Sequence, residues 1–246
     1  MRNIRLLVQY EGTRYLGWQR QKHAGNTIQG RLETLLSRMC GEEVELIGSG
    51  RTDAGVHAAG QVCNFHTNCT MSPEEMLVFI NRYLPEDIAV KEVSEAGARF
   101  HSRLNARGKR YCYRVLNSAA PDVFWRRYAL QVPGKLDVEG MRLAASYLEG
   151  EHDFKAFTSA KKGKKSTVRR IDSIAIETDG ELLNFTFTGN GFLHHMIRIL
   201  MGTLLEVGSG KRAADSIPGL IASGSRRQAG ELAPAKGLTL IEIYYS

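Results

Sequence analysis

The apolar residues of this chain change period in a fixed order between Asn3 and Val93, and that order restricts what it can fold into. Residues 3–10 alternate Ile4, Leu6, Val8 and Tyr10 with Arg5 and Gln9, the period-two pattern of a strand with one buried face. Residues 27–40 place Ile28, Leu32, Leu35, Leu36 and Met39 on one helical face, and Gly41 suits the stop. Residues 43–47 alternate again. A Gly-rich stretch runs from Gly48 to Gly60, and residues 61–66 read as a strand. Ser72-Pro73-Glu74-Glu75 forms a capping box with proline at the first helical position. Behind it Met76, Phe79, Ile80, Tyr83 and Leu84 share a face until Pro85, and Ile88–Val93 is a further strand. The order βαββαβ is the split βαβ plan of ferredoxin-like and many RNA-binding domains.

The second half repeats the rhythm loosely, without repeating residues. Strands are expected at Lys109–Leu116, Val168–Ile176, Leu182–Thr188 and Leu238–Tyr245, and helices at Asp137–Leu148, Leu193–Val207 and 213–223. The join falls near Glu95–Arg107, giving two α+β domains, 1–105 and 106–246. The expected architecture is two ferredoxin-like or RRM-like halves with antiparallel sheets side by side around a central cleft. A chain of 246 residues is long enough for two such cores.

Composition excludes several classes. An apolar fraction of 43% and a charged fraction of 24% are ordinary globular values and argue against disorder. No run of about 18 apolar residues marks a membrane span, and the first residues enter a strand pattern rather than a signal peptide. Cysteines 40, 63, 69 and 112 are too few and too scattered for a disulfide scaffold, so a reducing cytoplasm is the expected setting. A net charge of +7 favours an anionic partner such as nucleic acid.

The most unusual segment is Gly48–Gly60, which contains Gly50-Arg51-Thr52-Asp53-Ala54-Gly55-Val56-His57. No Gly-Lys-Ser/Thr follows, so it is no P-loop, and Asp53 stands where a dinucleotide fingerprint needs its third glycine. Two readings stay open from composition. One is a tight β-loop with a local Arg51–Asp53 ion pair. The other is a site in which Arg51 keeps Asp53 ionised for nucleophilic or general-base work.

This segment resembles the active-site signature of the tRNA pseudouridine synthase A (TruA) family. Tyr10-Glu11-Gly12-Thr13 with Gly17-Trp18-Gln19 is similar to the family's opening, and Asn26-Thr27-Ile28-Gln29-Gly30 to its first helix. Phe100-His101-Ser102-Arg103, Lys109-Arg110-Tyr111-Cys112-Tyr113, Phe192-Leu193-His194-His195-Met196-Ile197-Arg198 and Gly237-Leu238-Thr239-Leu240 match later landmarks, so nearly the whole chain is covered. The family context usually shows Ala or Arg where Ser102 and Gly108 stand, differences that leave the chemistry untouched.

The resemblance implies the pseudouridine synthase fold and isomerisation of uridine to pseudouridine at positions 38 to 40 of the tRNA anticodon arm. It implies a homodimer, no cofactor and no metal. The reaction breaks N1–C1′, turns the uracil and rejoins it through C5. One ionised carboxylate serves it by attacking the ring, attacking the sugar or taking a proton from C2′. By resemblance that group is Asp53, with Arg51 as its neighbour gripping a phosphate or aiding extrusion of the base. Tyr111 is implied to stack on the flipped uracil, and Arg198 to pair with Asp53. Taken alone, Tyr111 reads as a core tyrosine and Arg198 as a surface arginine at a stripe edge.

Other residues carry weaker expectations. His194 and His195 suit RNA contact or packing rather than catalysis. Lys161, Lys162, Lys164 and Lys165 form a charge run that is a solvated loop alone and a phosphate clamp beside RNA. Lys109 and Arg110, close to Tyr111, fit a nucleic-acid groove that mixes basic residues with aromatics. His57, Cys63, His66 and Cys69 lack zinc spacing, because Cys63 and His66 fall on opposite strand faces. The competing reading is a non-catalytic RNA-binding module, for which the RRM consensus is absent. A glycoside hydrolase would need a second carboxylate.

Overall fold

The computed structural model of the chain describes residues 1–21, 25–160 and 166–245. Its elements are β1 (Arg2–Tyr10), α1 (Ile28–Cys40), β2 (Ile47–Gly48), β3 (His57–Thr67), α2 (Pro73–Tyr83), β4 (Ile88–Ala96), β5 (Gly108–Leu116), β6 (Leu130–Gln131), α3 (Val138–Ser146), β7 (Gly150–Asp153), β8 (Val168–Asp179), β9 (Leu182–Gly189), α4 (Met196–Gly208), α5 (Ile217–Ser223) and β10 (Leu238–Tyr244). The chain divides into two compact units, Met1–Arg107 with the closing residues from Thr239, and Gly108–Leu238. No helix among the described residues is long and apolar enough to cross a membrane.

In unit 1 β4, β1 and β3 are antiparallel neighbours in that order, with β2 antiparallel on the far edge of β3. This is the neighbour order of a split βαβ fold. The alternation in β1 sends Ile4, Leu6 and Val8 to full burial. The same core takes Ile28, Leu32 and Leu36 from α1 and Met76 and Ile80 from α2. Both helix signals are met in full. Thr27 caps α1 by accepting from the Gly30 amide at 3.2 Å, and Gly41 ends it with φ at +68°. Ser72 and Glu75 make both bonds of the capping box on α2.

Two local expectations fail. Residues 43–46 make no ladder, although Val44 and Leu46 are buried. Their backbone groups are satisfied by side chains of α1 instead. Ser37 Oγ takes the Val44 amide at 2.9 Å, and Glu33 Oε1 the Leu46 amide at 3.0 Å. Gln29 Nε2 donates to the Leu46 carbonyl at 3.0 Å. A strand that finds helix side chains for its amides has no need of a neighbouring strand.

The second concerns the closing strand, which chain order puts in the second half. In the structure β10 lies in unit 1, paired in parallel with β3 through Thr239↔His57 and Leu240↔Ala58. Its end is tied there by the Arg107 amide on the Tyr244 carbonyl at 2.8 Å and by Tyr245, whose hydroxyl donates to the Ser102 carbonyl at 2.7 Å.

Unit 2 builds an antiparallel sheet in the order β5-β9-β8-β7, with β6 in parallel on β5. Phe185 and Phe187 of β9, Met141 of α3 and Leu200 and Leu204 of α4 are fully buried. The short strands β6 and β7 have no alternation to read. Helix α4 begins three residues later than its apolar stripe suggests. His195 adopts the left-handed conformation, φ +65°, and Leu193 and His194 stay outside the helix.

Candidate active site

The loop carrying Asp53 is held by contacts that the sequence places far away. At its entry the Ser49 amide donates to the Val62 carbonyl at 2.8 Å, and the Ser49 hydroxyl donates to Gln61 Oε1 at 2.7 Å. Gln61 Nε2 donates to the Gly50 carbonyl at 2.9 Å. Thr52 is fixed twice more. Its hydroxyl shares a buried 2.8 Å hydrogen bond with Tyr10, and its carbonyl accepts from the Trp18 amide at 3.0 Å. At the exit the Val56 amide closes a turn on the Asp53 carbonyl at 3.2 Å, and Gly55 stands at φ +79°. The Gly12 amide then donates to His57 Nδ1 at 3.0 Å, which makes that nitrogen the acceptor of the ring. Thr52, Val56 and His57 are buried while Asp53 is half-buried and Arg51 is exposed. The carboxylate thus projects from a stretch of backbone whose neighbours cannot move independently.

Two glycines make this approach possible. A Cβ at Gly12 would stand 2.0 Å from the Val56 carbonyl oxygen. A Cβ at Gly17 would stand 2.7 Å from the Thr52 oxygen, and Gly17 has φ at +95°. Only a residue without a side chain lets these segments touch the loop. Tyr10, Gly12, Gly17, Trp18, Thr52, His57 and Gln61 are therefore the scaffold of the candidate site. Sequence reasoning quoted several of them as landmarks and assigned none a role. Tyr10→Phe deletes the hydroxyl partner of Thr52 and keeps the ring against Trp18, 6.0 Å between centroids. The expected loss is about 1–2 kcal/mol of stability, read by urea unfolding, with kcat reduced about tenfold and KM nearly unchanged.

Unit 2 carries the remaining candidates. Tyr111 lies on β5 opposite Phe187, is 8% exposed, and meets Phe192 edge-on at 5.5 Å. The period of the strand puts Lys109, Tyr111 and Tyr113 on one face and Arg110 on the other. Lys109 therefore shares the face of Tyr111, and Arg110 does not. Tyr113 donates its hydroxyl to the Pro234 carbonyl at 2.8 Å. Burial pushes that phenol well above its ordinary range, with Arg198 pulling it back.

Arg198 stands in the first turn of α4, where its Nε donates to the Ala233 carbonyl at 2.7 Å and its own carbonyl accepts from the Ala233 amide at 3.1 Å. The guanidinium is thus aimed by the segment that precedes β10. His194 is exposed and stacks on His195 at 3.7 Å, and its carbonyl accepts from the Thr158 hydroxyl at 3.1 Å. Asp53 and Arg51 belong to unit 1, and Tyr111, Arg198, Lys109, Arg110, His194 and His195 to unit 2. Lys161, Lys162, Lys164 and Lys165 lie outside the described residues.

A carboxylate held on a loop clamped from both sides, as Asp53 is in unit 1, suits general-base or nucleophilic work. The family described as tRNA pseudouridine synthase matches residues 6–105 and 144–246. The protein named tRNA pseudouridine synthase A from Acetivibrio thermocellus is 47% identical over 245 residues, covering all of both chains. Proteins named tRNA pseudouridine synthase A 2 from Bacillus anthracis and tRNA pseudouridine synthase A from Bacillus sp. strain KSM-64 are 42% and 45% identical, again over the full length of both. A solved structure titled "Crystal Structure of a Cbf5-Nop10-Gar1 Complex" aligns with 82% of this chain and 45% of that one, at 13% identity and a TM-score of 0.36. The chain belongs to the tRNA pseudouridine synthase family.

Proposed function

We propose that this chain isomerises uridine to pseudouridine at positions 38, 39 and 40 of the tRNA anticodon arm, acting as a cytoplasmic homodimer. The observation that carries the reading is the half-buried Asp53 carboxylate on backbone pinned at Thr52 and turned back at Val56. Isomerisation needs a base or nucleophile held against one nucleotide through cleavage, rotation and rejoining of the uracil. A carboxylate on a mobile loop could start that sequence but not keep the detached base in register.

The residues then divide the work. The target base leaves the helix to be reached at all. Asp53 acts at C1′, C2′ or C6 of the extruded nucleotide. Tyr111 offers a ring for the uracil to stack on, braced by Phe192, and a hydroxyl for the proton that leaves C5. Arg51, exposed beside Asp53, suits a phosphate, and Arg198 offers a second guanidinium, held by the Ala233 carbonyl, for the same reaction. Lys109, on the face of Tyr111, suits the backbone of the same RNA, and His194 offers a second exposed contact.

The test is tRNA carrying tritium at C5 of uracil. Turnover releases tritium to water with the RNA chain intact and its mass otherwise unchanged, and substitution of uridine 38, 39 or 40 removes the corresponding release. A protein that only binds RNA releases none, and a hydrolase yields free uracil. Either result overturns the reading.

A further inference from the structure

Several arginines of unit 1 are neutralised where they stand. Arg2 pairs with Glu95, Arg5 with Glu92 at 3.4 Å and Arg20 with the buried Glu33 at 3.1 Å. Residues 97–107 differ. They read Gly-Ala-Arg-Phe-His-Ser-Arg-Leu-Asn-Ala-Arg, with Arg99, Arg103 and Arg107 and no acidic residue. All three arginines are exposed. Among the described residues no hydrogen bond or ion pair engages their side chains.

A basic stretch that only meets water needs no fixed backbone, yet this one is held by buried polar groups. Asn3 Nδ2 donates to the Gly97 carbonyl at 3.0 Å and to the Phe100 carbonyl at 2.9 Å. Asn64 takes the Ser102 amide on its Oδ1 at 2.9 Å and donates to Asn3 Oδ1 at 2.9 Å. The Ser102 hydroxyl donates to the Ile47 carbonyl, and the Ser102 carbonyl accepts from Tyr245. Asn3, Asn64 and Ser102 are all buried, where unbonded polar groups would be costly. Within the loop the Asn105 amide returns to the His101 carbonyl at 3.0 Å, and Asn105 Oδ1 takes the His101 amide at 2.7 Å. The far end is tied by the Arg107 amide on Tyr244. The backbone is fixed, and the three guanidiniums it presents are left for something outside the chain.

We infer that residues 97–107 form a preordered grip on the RNA backbone, in which Arg99, Arg103 and Arg107 take phosphates. The inference rests on the reading of RNA as substrate. Guanidinium groups match phosphate oxygens as paired donors, and phosphate contacts set the register of a nucleic acid on a protein. A loop ordered in advance loses little backbone freedom on binding. The clamp also fixes where the phosphates sit. Ile47, which receives the Ser102 hydroxyl, lies in β2, directly ahead of the Asp53 loop, and Asn64 lies opposite it on β3. The frame that carries the grip is therefore the frame that carries the carboxylate.

The test is filter binding of an unmodified tRNA transcript to the full-length chain across a salt titration from about 50 to 400 mM. Arg99→Gln, Arg103→Gln and Arg107→Gln together are expected to lower the slope of log affinity against log salt by about 2–3. Binding weakens about 100-fold at about 0.1 M salt, and the difference shrinks as salt rises. The same three positions changed to Lys are expected to keep the slope, because the charges remain. Arg142→Gln, which removes a guanidinium already paired with Glu139, keeps it as well. An unchanged slope in the Gln variant, an equal loss in the Lys variant, or a loss that persists undiminished at high salt would overturn the proposal. Tritium release by the wild-type chain is measured on the same tRNA. Its absence would overturn the proposed reaction, while the slopes decide the grip on their own.

Discussion

Asp53→Asn is expected to reduce tritium release by about 10³-fold or more while leaving tRNA affinity equal or slightly higher. The sign of the binding effect follows from charge. A surface that holds a phosphate backbone works against every carboxylate it presents, and affinity for nucleic acid is dominated by phosphate contacts. Removing one negative charge therefore cannot weaken binding through electrostatics. Asparagine keeps the shape, and the turn that closes the loop uses the Asp53 backbone carbonyl rather than its side chain. The turn is thus expected to stay in place. The measurement pairs single-turnover release with a filter-binding titration at fixed salt, since affinity without a salt concentration has no meaning here. Normal turnover in this variant would show that the chemistry resides elsewhere. A loss of affinity matching the loss of turnover would recast Asp53 as a binding residue.

How far this site could be read from sequence depends on which contacts are local. The capping box at Ser72, the stop at Gly41 and the buried face of β1 depend on neighbours within a few positions, and each appears in the structure as its pattern predicts. The sequence also marked the Gly-rich loop as unusual and, through resemblance, singled out Asp53. It could not explain why the loop holds still. Tyr10 reaches Thr52 across 42 positions and Gly12 reaches His57 across 45, and neither partner's pattern differs from that of an ordinary strand end. Residues 43–46 misled for the same reason. Their alternation is genuine, but Ser37, Glu33 and Gln29 on α1 satisfy backbone groups that a strand would have paired. β10 reads as a strand from its own residues, and only its pairing with β3 places it in unit 1. Period reports which face is buried and says little about which partner buries it.

Gly12→Ala carries the second large effect, and it tests the scaffold without touching a charged or reacting group. The new methyl would stand 2.0 Å from the Val56 oxygen and 2.6 Å from the Val56 carbonyl carbon. Both atoms are backbone, so no side-chain rotation relieves the clash, and one of the two segments has to move. Moving the Gly12 segment stretches its amide off His57 Nδ1, and moving Val56 opens the turn that positions Asp53. Overpacking of this kind costs about 3 kcal/mol, which corresponds to a fall in melting temperature of roughly 6–12 °C for a protein of this size. Turnover is expected to fall about 100-fold at a temperature where the variant remains folded, because a displacement near 1 Å at a reacting group has that effect. Gly219→Ala is the matched control. It adds the same methyl in α5, where nothing lies within 4 Å, so it leaves turnover intact and holds or slightly raises the melting temperature. Equal behaviour of the two variants would mean that the contact between Gly12 and Val56 does not hold the Asp53 loop. A Gly12→Ala protein that melts early but turns over normally once folded would separate stability from positioning, and would leave Tyr10 and Trp18 on Thr52 as the contacts that aim the carboxylate.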